Sequence, residues 1–155
     1  MQDQKKMNML PTTLVLLTII AATILNDCDA YLSEAAIKKT QQMLKSVCSK
    51  KYAVEEDVFS NIKKGIFPED NNNIKCYFSC NFKTMQLINQ KGSLDKKIFK
   101  DKMSMMAPPN VYSIFLPVIE QCIGKDNGEE LCQASYNFIK CAHHVDPKSL
   151  EYLPL

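Results

Sequence analysis

The sequence predicts an all-α fold, a small bundle-like domain of six helices stapled by disulfides. Three observations predict it. Apolar residues recur at helical spacing between short polar breaks. The chain has no Trp and only 4 Gly, against 8 Met and 7 Phe, a balance that with its many Lys, Leu and Ile suits helices better than sheets. Six cysteines run from Cys48 to Cys141, and an even set in a short exported chain reads as a disulfide framework.

Export is expected from the first 30 residues. Lys5 and Lys6 start them, Leu14 to Leu25 is an uncharged run of 12, and Cys28-Asp29-Ala30 places small residues before a cut. A charged start, apolar middle and small-residue cleavage site make a secretory signal peptide. The run is well short of the roughly 18–20 apolar residues that span a bilayer, so no stable membrane insertion is expected. Residues 1–30 are read as the signal, cut after Ala30, and residues 31–155 as one secreted, extracellular domain. Cys28 leaves with the signal, and the 7 cysteines become six.

The helices follow in order. Ser33 before Glu34 is a helix start, with Ile37, Thr40, Leu44 and Val47 on one face. A second helix covers Val54 to Lys63, with Val58 and Ile62 inward, and Gly65 stops it. Phe67-Pro68-Glu69-Asp70 and three asparagines form a surface loop. Ile74, Tyr77, Phe78, Asn81, Met85 and Ile88 predict a long third helix, broken at Lys91-Gly92. Leu94, Ile98 and Phe99 suggest a short fourth, ended by Ala107-Pro108-Pro109-Asn110. Val111, Ile114, Phe115, Val118 and Cys122 mark a fifth, which Pro117 should kink or shorten. After a turn at Asp126-Asn127-Gly128, Leu131 to Ala142 is a sixth helix, apolar on more than one side and therefore central. A tail runs from Val145 to Leu155.

The cysteine spacing is Cys48-x27-Cys76-x3-Cys80-x41-Cys122-x9-Cys132-x8-Cys141. Six cysteines allow fifteen pairings. Cys76 and Cys80 share one face of the third helix and are held from bonding each other, so each needs a partner on another helix. Cys132 and Cys141 are about half a turn out of phase on the sixth and must reach different neighbours. Zinc is the alternative use of Cys76, Cys80, His143 and His144; an exported chain favours disulfides.

These residues resemble the insect odorant-binding proteins, the pheromone/general odorant-binding family. The x3 and x8 cysteine spacings carry the likeness. So do Lys75-Cys76-Tyr77-Phe78-Ser79-Cys80, Met85-Gln86-Leu87-Ile88, Gly92-Ser93-Leu94-Asp95 and Cys132-Gln133-Ala134-Ser135-Tyr136 through Lys140-Cys141. It extends from about Ser33 to Cys141. The resemblance implies six helices around a buried apolar pocket and three interlocked bonds: Cys48–Cys80, Cys76–Cys132 and Cys122–Cys141. It also implies a carrier of small hydrophobic, odorant- or pheromone-like molecules.

A carrier needs an apolar cavity with few polar groups. Inward-facing candidates for ligand contact are Ile62, Phe78, Met85, Ile98, Met103, Met106, Phe115, Val118, Phe138 and Ile139, the methionines because they adapt to different shapes. Burying ten methylenes yields about 8 kcal/mol gross, and immobilisation leaves an affinity on the order of micromolar. Tyr77, Tyr112 and Tyr136 are candidate hydrogen-bonding hydroxyls. In the tail, Leu150, Tyr152, Leu153 and Leu155 are unusually apolar for a solvated end. The expectation is that Leu150–Leu155, within a tail spanning 143–155, walls or covers the pocket. His143 and His144 sit beside that tail at a helix C-terminus, where imidazolium is favoured; their protonation is a candidate trigger for re-docking it.

Other classes fit less well. Of 19 Lys+Arg residues none is Arg; with Lys5 and Lys6 removed, 17 scattered lysines face 14 acids after Ala30. That lacks the concentrated, Arg-rich face of a nucleic-acid binder. A secreted phospholipase would need a glycine-rich calcium loop and a His-Asp pair, and no Gly-x-Ser-x-Gly occurs. No enzyme, metal or cofactor is expected. A secreted protein-binding factor on the same scaffold is the alternative function. A homodimer and a membrane receptor are compatible further partners.

Overall fold

The computed structural model describes residues 31–124 and 130–155. The expected signal peptide, with Cys28, and the expected turn at Asp126-Asn127-Gly128 lie outside the described residues.

Ser33 opens helix α1, Glu34–Lys51, by accepting a hydrogen bond from the Ala36 amide at 3.2 Å. Glu34 at its start and Lys50 and Lys51 at its end complement the helix dipole. Its inward stripe runs through Leu44 to Cys48, which is fully buried, while Val47 is 50 % exposed. The stripe expected through Val47 is therefore corrected by one position. The Cys48–Cys80 bond draws residue 48 inward, and its neighbour, about 100° round the helix, turns out.

Helix α2, Glu56–Lys63, starts two residues later than expected and buries Phe59 and Ile62. Gly65 ends it at φ 78°. A Cβ there would lie 2.6 Å from the His143 ring, so glycine is required by both conformation and space.

Helix α3, Asn72–Thr84, is capped by the Asn71 side chain. It stops short of the predicted end, because Gln86 takes a left-handed conformation, φ 56°. Gln86 donates to the Lys83 carbonyl and Leu87 to the Phe82 carbonyl, the paired bonds that close a Schellman turn. Ile88, expected in this helix, instead pairs antiparallel with Leu94 in an isolated bridge. Leu94 thus precedes helix α4, Lys96–Met106, which Asp95 caps through the Ile98 amide at 2.9 Å.

Pro109 begins helix α5, Pro109–Cys122, at its first turn, where a missing N–H costs nothing. The helix runs through Pro117 without interruption. Pro117 and Ser113, whose carbonyl loses its partner, are both exposed, so water can serve that carbonyl. Helix α6, Leu131–Val145, reaches past the expected end at Ala142. It packs on α3, α5 and the tail, which is why it is buried on several sides. The tail is not frayed: Pro147–Tyr152 forms a 3-10 turn capped by Asp146, and Leu150 and Leu153 are buried.

Three disulfides lace these elements: Cys48–Cys80 joins α1 to α3, Cys76–Cys132 joins α3 to α6, and Cys122–Cys141 joins α5 to α6. The core between α3 and α6 is aromatic. Phe82 meets Phe138 edge-on at 5.4 Å, Phe138 lies 5.2 Å from Phe99, and Tyr77 packs on Phe59 at 5.0 Å. No helix among the described residues is long and apolar enough to cross a membrane.

Candidate ligand cavity

A cavity of about 120 Å³ lies between α1, α4, α5 and the C-terminal segment. Helix α1 supplies Ile37, Thr40, Gln41 and Leu44, with Leu32 before it. The end of α3 supplies Phe82, Met85 and Leu87; α4 supplies Phe99, Met103 and Met106, followed by Ala107. Val111 and Phe115 of α5 and the segment Tyr152-Leu153-Pro154 complete the wall. No ionisable acid or lysine is among these lining residues, so the space suits an uncharged, apolar group.

The polar atoms at the wall are few. The Thr40 hydroxyl donates to its own helix at the Ala36 carbonyl, 2.9 Å. Gln41 Nε2 donates to the carbonyls of Glu151 (2.8 Å) and Leu153 (3.2 Å). The Tyr77 hydroxyl, buried under the tail, donates to the Pro154 carbonyl. Gln41 and Tyr77 therefore tie the tail down from two helices. Burial pushes the Tyr77 hydroxyl up to about 12, against an opposing effect of the Asn81 side chain. At the other end the Leu32 amide donates to the Met106 carbonyl at 2.8 Å, fixing the entry to α1 against the end of α4.

Of the residues singled out from sequence, Met85, Met103, Met106, Phe115 and Leu153 line the cavity. Ile62, Phe78, Val118, Phe138 and Ile139 are placed in the solid core, each at most 1 % exposed, and Ile98 is half-exposed on α4. Tyr136 gives its hydroxyl to the Pro68 carbonyl at 2.8 Å, in the loop before α3, and burial raises its pKa. Tyr112 is a partly buried residue packed against the core. His143 packs edge-on against Phe67 at 5.6 Å and beneath Gly65, so its ring contacts the turn between α2 and α3; His144 is exposed. Cys76 and Cys80, the cysteines of the zinc alternative, have their sulfurs in disulfides.

Sequence reasoning missed Gln41, Phe82 and Val111 as wall residues, whereas Tyr152 and Pro154 fall within the stretch Leu150–Leu155 expected to wall the pocket. Ile37, Thr40 and Leu44 were readable as one helix face, and Phe99 as an inward residue, without a sign that this face met a void.

Among the described residues, six α-helices laced by three interlocked disulfides, with an uncharged apolar cavity beneath a C-terminal strap, define a small-ligand carrier scaffold. The chain belongs to the PBP/GOBP family, whose sequence model matches residues 30–145. Among solved structures it is similar to odorant-binding protein 4 of Chrysopa pallens, with 30% identity and a TM-score of 0.68, over 76% of this chain and 96% of that one. Odorant-binding protein 5 of Apis mellifera superposes with a TM-score of 0.68 at 20% identity, over 77% of this chain and 97% of that one. An odorant-binding protein of the medfly gives 0.55 at 23% identity, over 72% and 91%. No curated protein sequence gives a significant match. The disulfide pairing in the structure is the one that the resemblance implied.

Proposed function

We propose that this protein is a secreted carrier that binds small hydrophobic molecules, odorant- or pheromone-like in chemistry, in the cavity beneath its C-terminal strap. Residues 1–30 are the signal peptide and residues 31–155 the carrier domain. The single observation behind this reading is the cavity wall: four helices and the C-terminal segment converge on it, and none brings a charged side chain. Family membership supports the same reading.

The cavity of about 120 Å³ is smaller than the roughly 300–1,000 Å³ of pockets that enclose a whole small molecule. Ligand entry therefore enlarges it. The adaptable parts are Met85, Met103 and Met106, whose unbranched side chains repack easily, and the strap, which three hydrogen bonds from Gln41 and Tyr77 hold. Thr40, Gln41 and Tyr152 are the polar side chains that orient a ligand oxygen.

Displacement of an apolar fluorescent probe by lipophilic alcohols, aldehydes and esters tests the function. Competition is expected at micromolar concentration; a chain that binds no probe and no competitor is not a carrier. Deletion of residues 148–155 tests the strap, and an affinity unchanged by it would remove the strap from the site.

A further inference from the structure

On the outer side of the strap lies an open groove of about 670 Å³ between α1, the end of α2 and the C-terminal segment. Its chemistry is unlike that of the cavity. Lys38, Lys45, Lys63 and Lys148 stand around it, and Leu150, Leu153, Pro154 and Leu155 form its apolar floor. Lys45 is paired with Glu56 at 2.9 Å, and Lys63 adds to the positive field that lowers the Glu56 pKa. Lys38 and Lys148 form no ion pair among the described residues, and Glu151 is the one acidic side chain among the groove's lining residues. Among the side chains, three exposed lysines thus face one exposed carboxylate across an apolar floor, to which Leu155 adds the chain-terminal carboxylate.

Groove and cavity share Gln41, Leu153 and Pro154. The partition between them is one side chain and one stretch of strap, held by the two hydrogen bonds of Gln41. The cavity excludes charge, and it is too small to enclose a long chain as it stands. The groove attracts negative charge, and its floor is greasy.

We infer that the ligand class is an amphiphile with an anionic head, a long-chain carboxylate, whose alkyl chain enters the cavity past Gln41 while its head rests among Lys38, Lys63 and Lys148. This rests on the carrier reading and narrows it. A carboxylate inside the cavity would be stripped of water without a partner, whereas at the groove it stays hydrated and meets three ammonium groups. Each such exposed contact is weak; the three act together, and the apolar chain supplies most of the affinity.

The test compares decanoate with decanol as competitors for an N-phenylnaphthylamine probe on the full disulfide-bonded chain at neutral pH. The two share chain length and differ in head charge. In the variant K38Q/K63Q/K148Q the ratio of decanoate to decanol affinity is expected to fall roughly fivefold or more. The charge-matched variant K50Q/K83Q/K91Q, altered away from the groove, is expected to keep the wild-type ratio. An equal ratio in wild type and groove variant overturns the inference, as does an equal fall in the control variant, which would make the effect one of net charge. Failure of both competitors to displace the probe overturns the carrier reading itself.

Discussion

Helix α6 carries two of the three disulfides and buries six residues, whereas α4 carries no cysteine and buries only Phe99. Both face the same interior. Helix α6 meets α3 across a packed aromatic layer, with Phe138 and Tyr136 among the least exposed side chains of the described residues. Helix α4 presents Met103 and Met106 to a void. The α3–α6 staple thus sits where packing is already dense, whereas the cavity wall adds two unstapled elements, α4 and the C-terminal strap, to the stapled helices α1, α3 and α5. Cross-links restrict the unfolded chain, and that allows a domain of this size to keep a hollow side that packing alone would penalise.

The contrast predicts a division of effects. Phe138→Ala should lower the unfolding free energy by about 3–5 kcal/mol, since a large aromatic ring is removed from a filled site. Urea denaturation measures it. Met103→Ala, at the cavity wall, should cost about 1 kcal/mol, because its side chain already lacks partners on one side, yet it should change the affinity for apolar ligands. A Met103 variant as destabilised as the Phe138 variant would erase the distinction between solid core and adaptable wall.

Next in size is the α3–α6 staple. Replacing Cys76 and Cys132 together by serine should reduce stability by about 2–4 kcal/mol, read as a lower melting temperature. The packed interface between those helices should still form in the cold, with helical circular dichroism retained. Loss of helical signal at low temperature would mean that the aromatic layer depends on the staple rather than merely coinciding with it.

The smallest effect concerns the strap and appears only in alkali. The Tyr77 hydroxyl is raised to about 12 by burial, while in the unfolded chain it ionises near the ordinary tyrosine value of about 10. Between these values the unfolded chain has lost the proton and the folded one has kept it. Stability from this group is therefore complete below about pH 10 and declines as the pH rises towards 12. Tyr77→Phe should flatten that part of the stability profile and loosen the strap at Pro154. A profile of the same slope in both proteins would show that ionisation of Tyr77 is not coupled to folding.

Much of the framework was readable because it rests on local rules. Ser33 as a cap, Gly65 as a stop and the double proline before α5 each follow from the chemistry of one or two residues. The end of α3 was not readable: Gln86 adopts a conformation usually taken by glycine, and nothing in Gln-Leu-Ile announces it. The tail was legible as apolar, but its fastening was not, since Gln41 reaches carbonyls 110 and 112 residues away. The candidate ligand residues divided for a similar reason. Met103 and Phe138 carry the same sequence signal, an apolar residue on an inward face, and only the opposing wall distinguishes them.

By itself, then, the sequence determined that the chain is helical, roughly where six helices lie, that Cys76 and Cys80 must reach other helices, and, through its cysteine spacing, the family scaffold. Those properties depend on periodicity, backbone preference and spacing, all carried by neighbouring residues. Tertiary structure decided which inward faces meet each other and which meet empty space. It also decided that Gln41 and the strap at Leu153-Pro154 separate an uncharged cavity from a lysine-lined groove. The physical reason is that a helical stripe specifies a direction, whereas a void or a groove is a relation among several stripes brought together from distant parts of the chain.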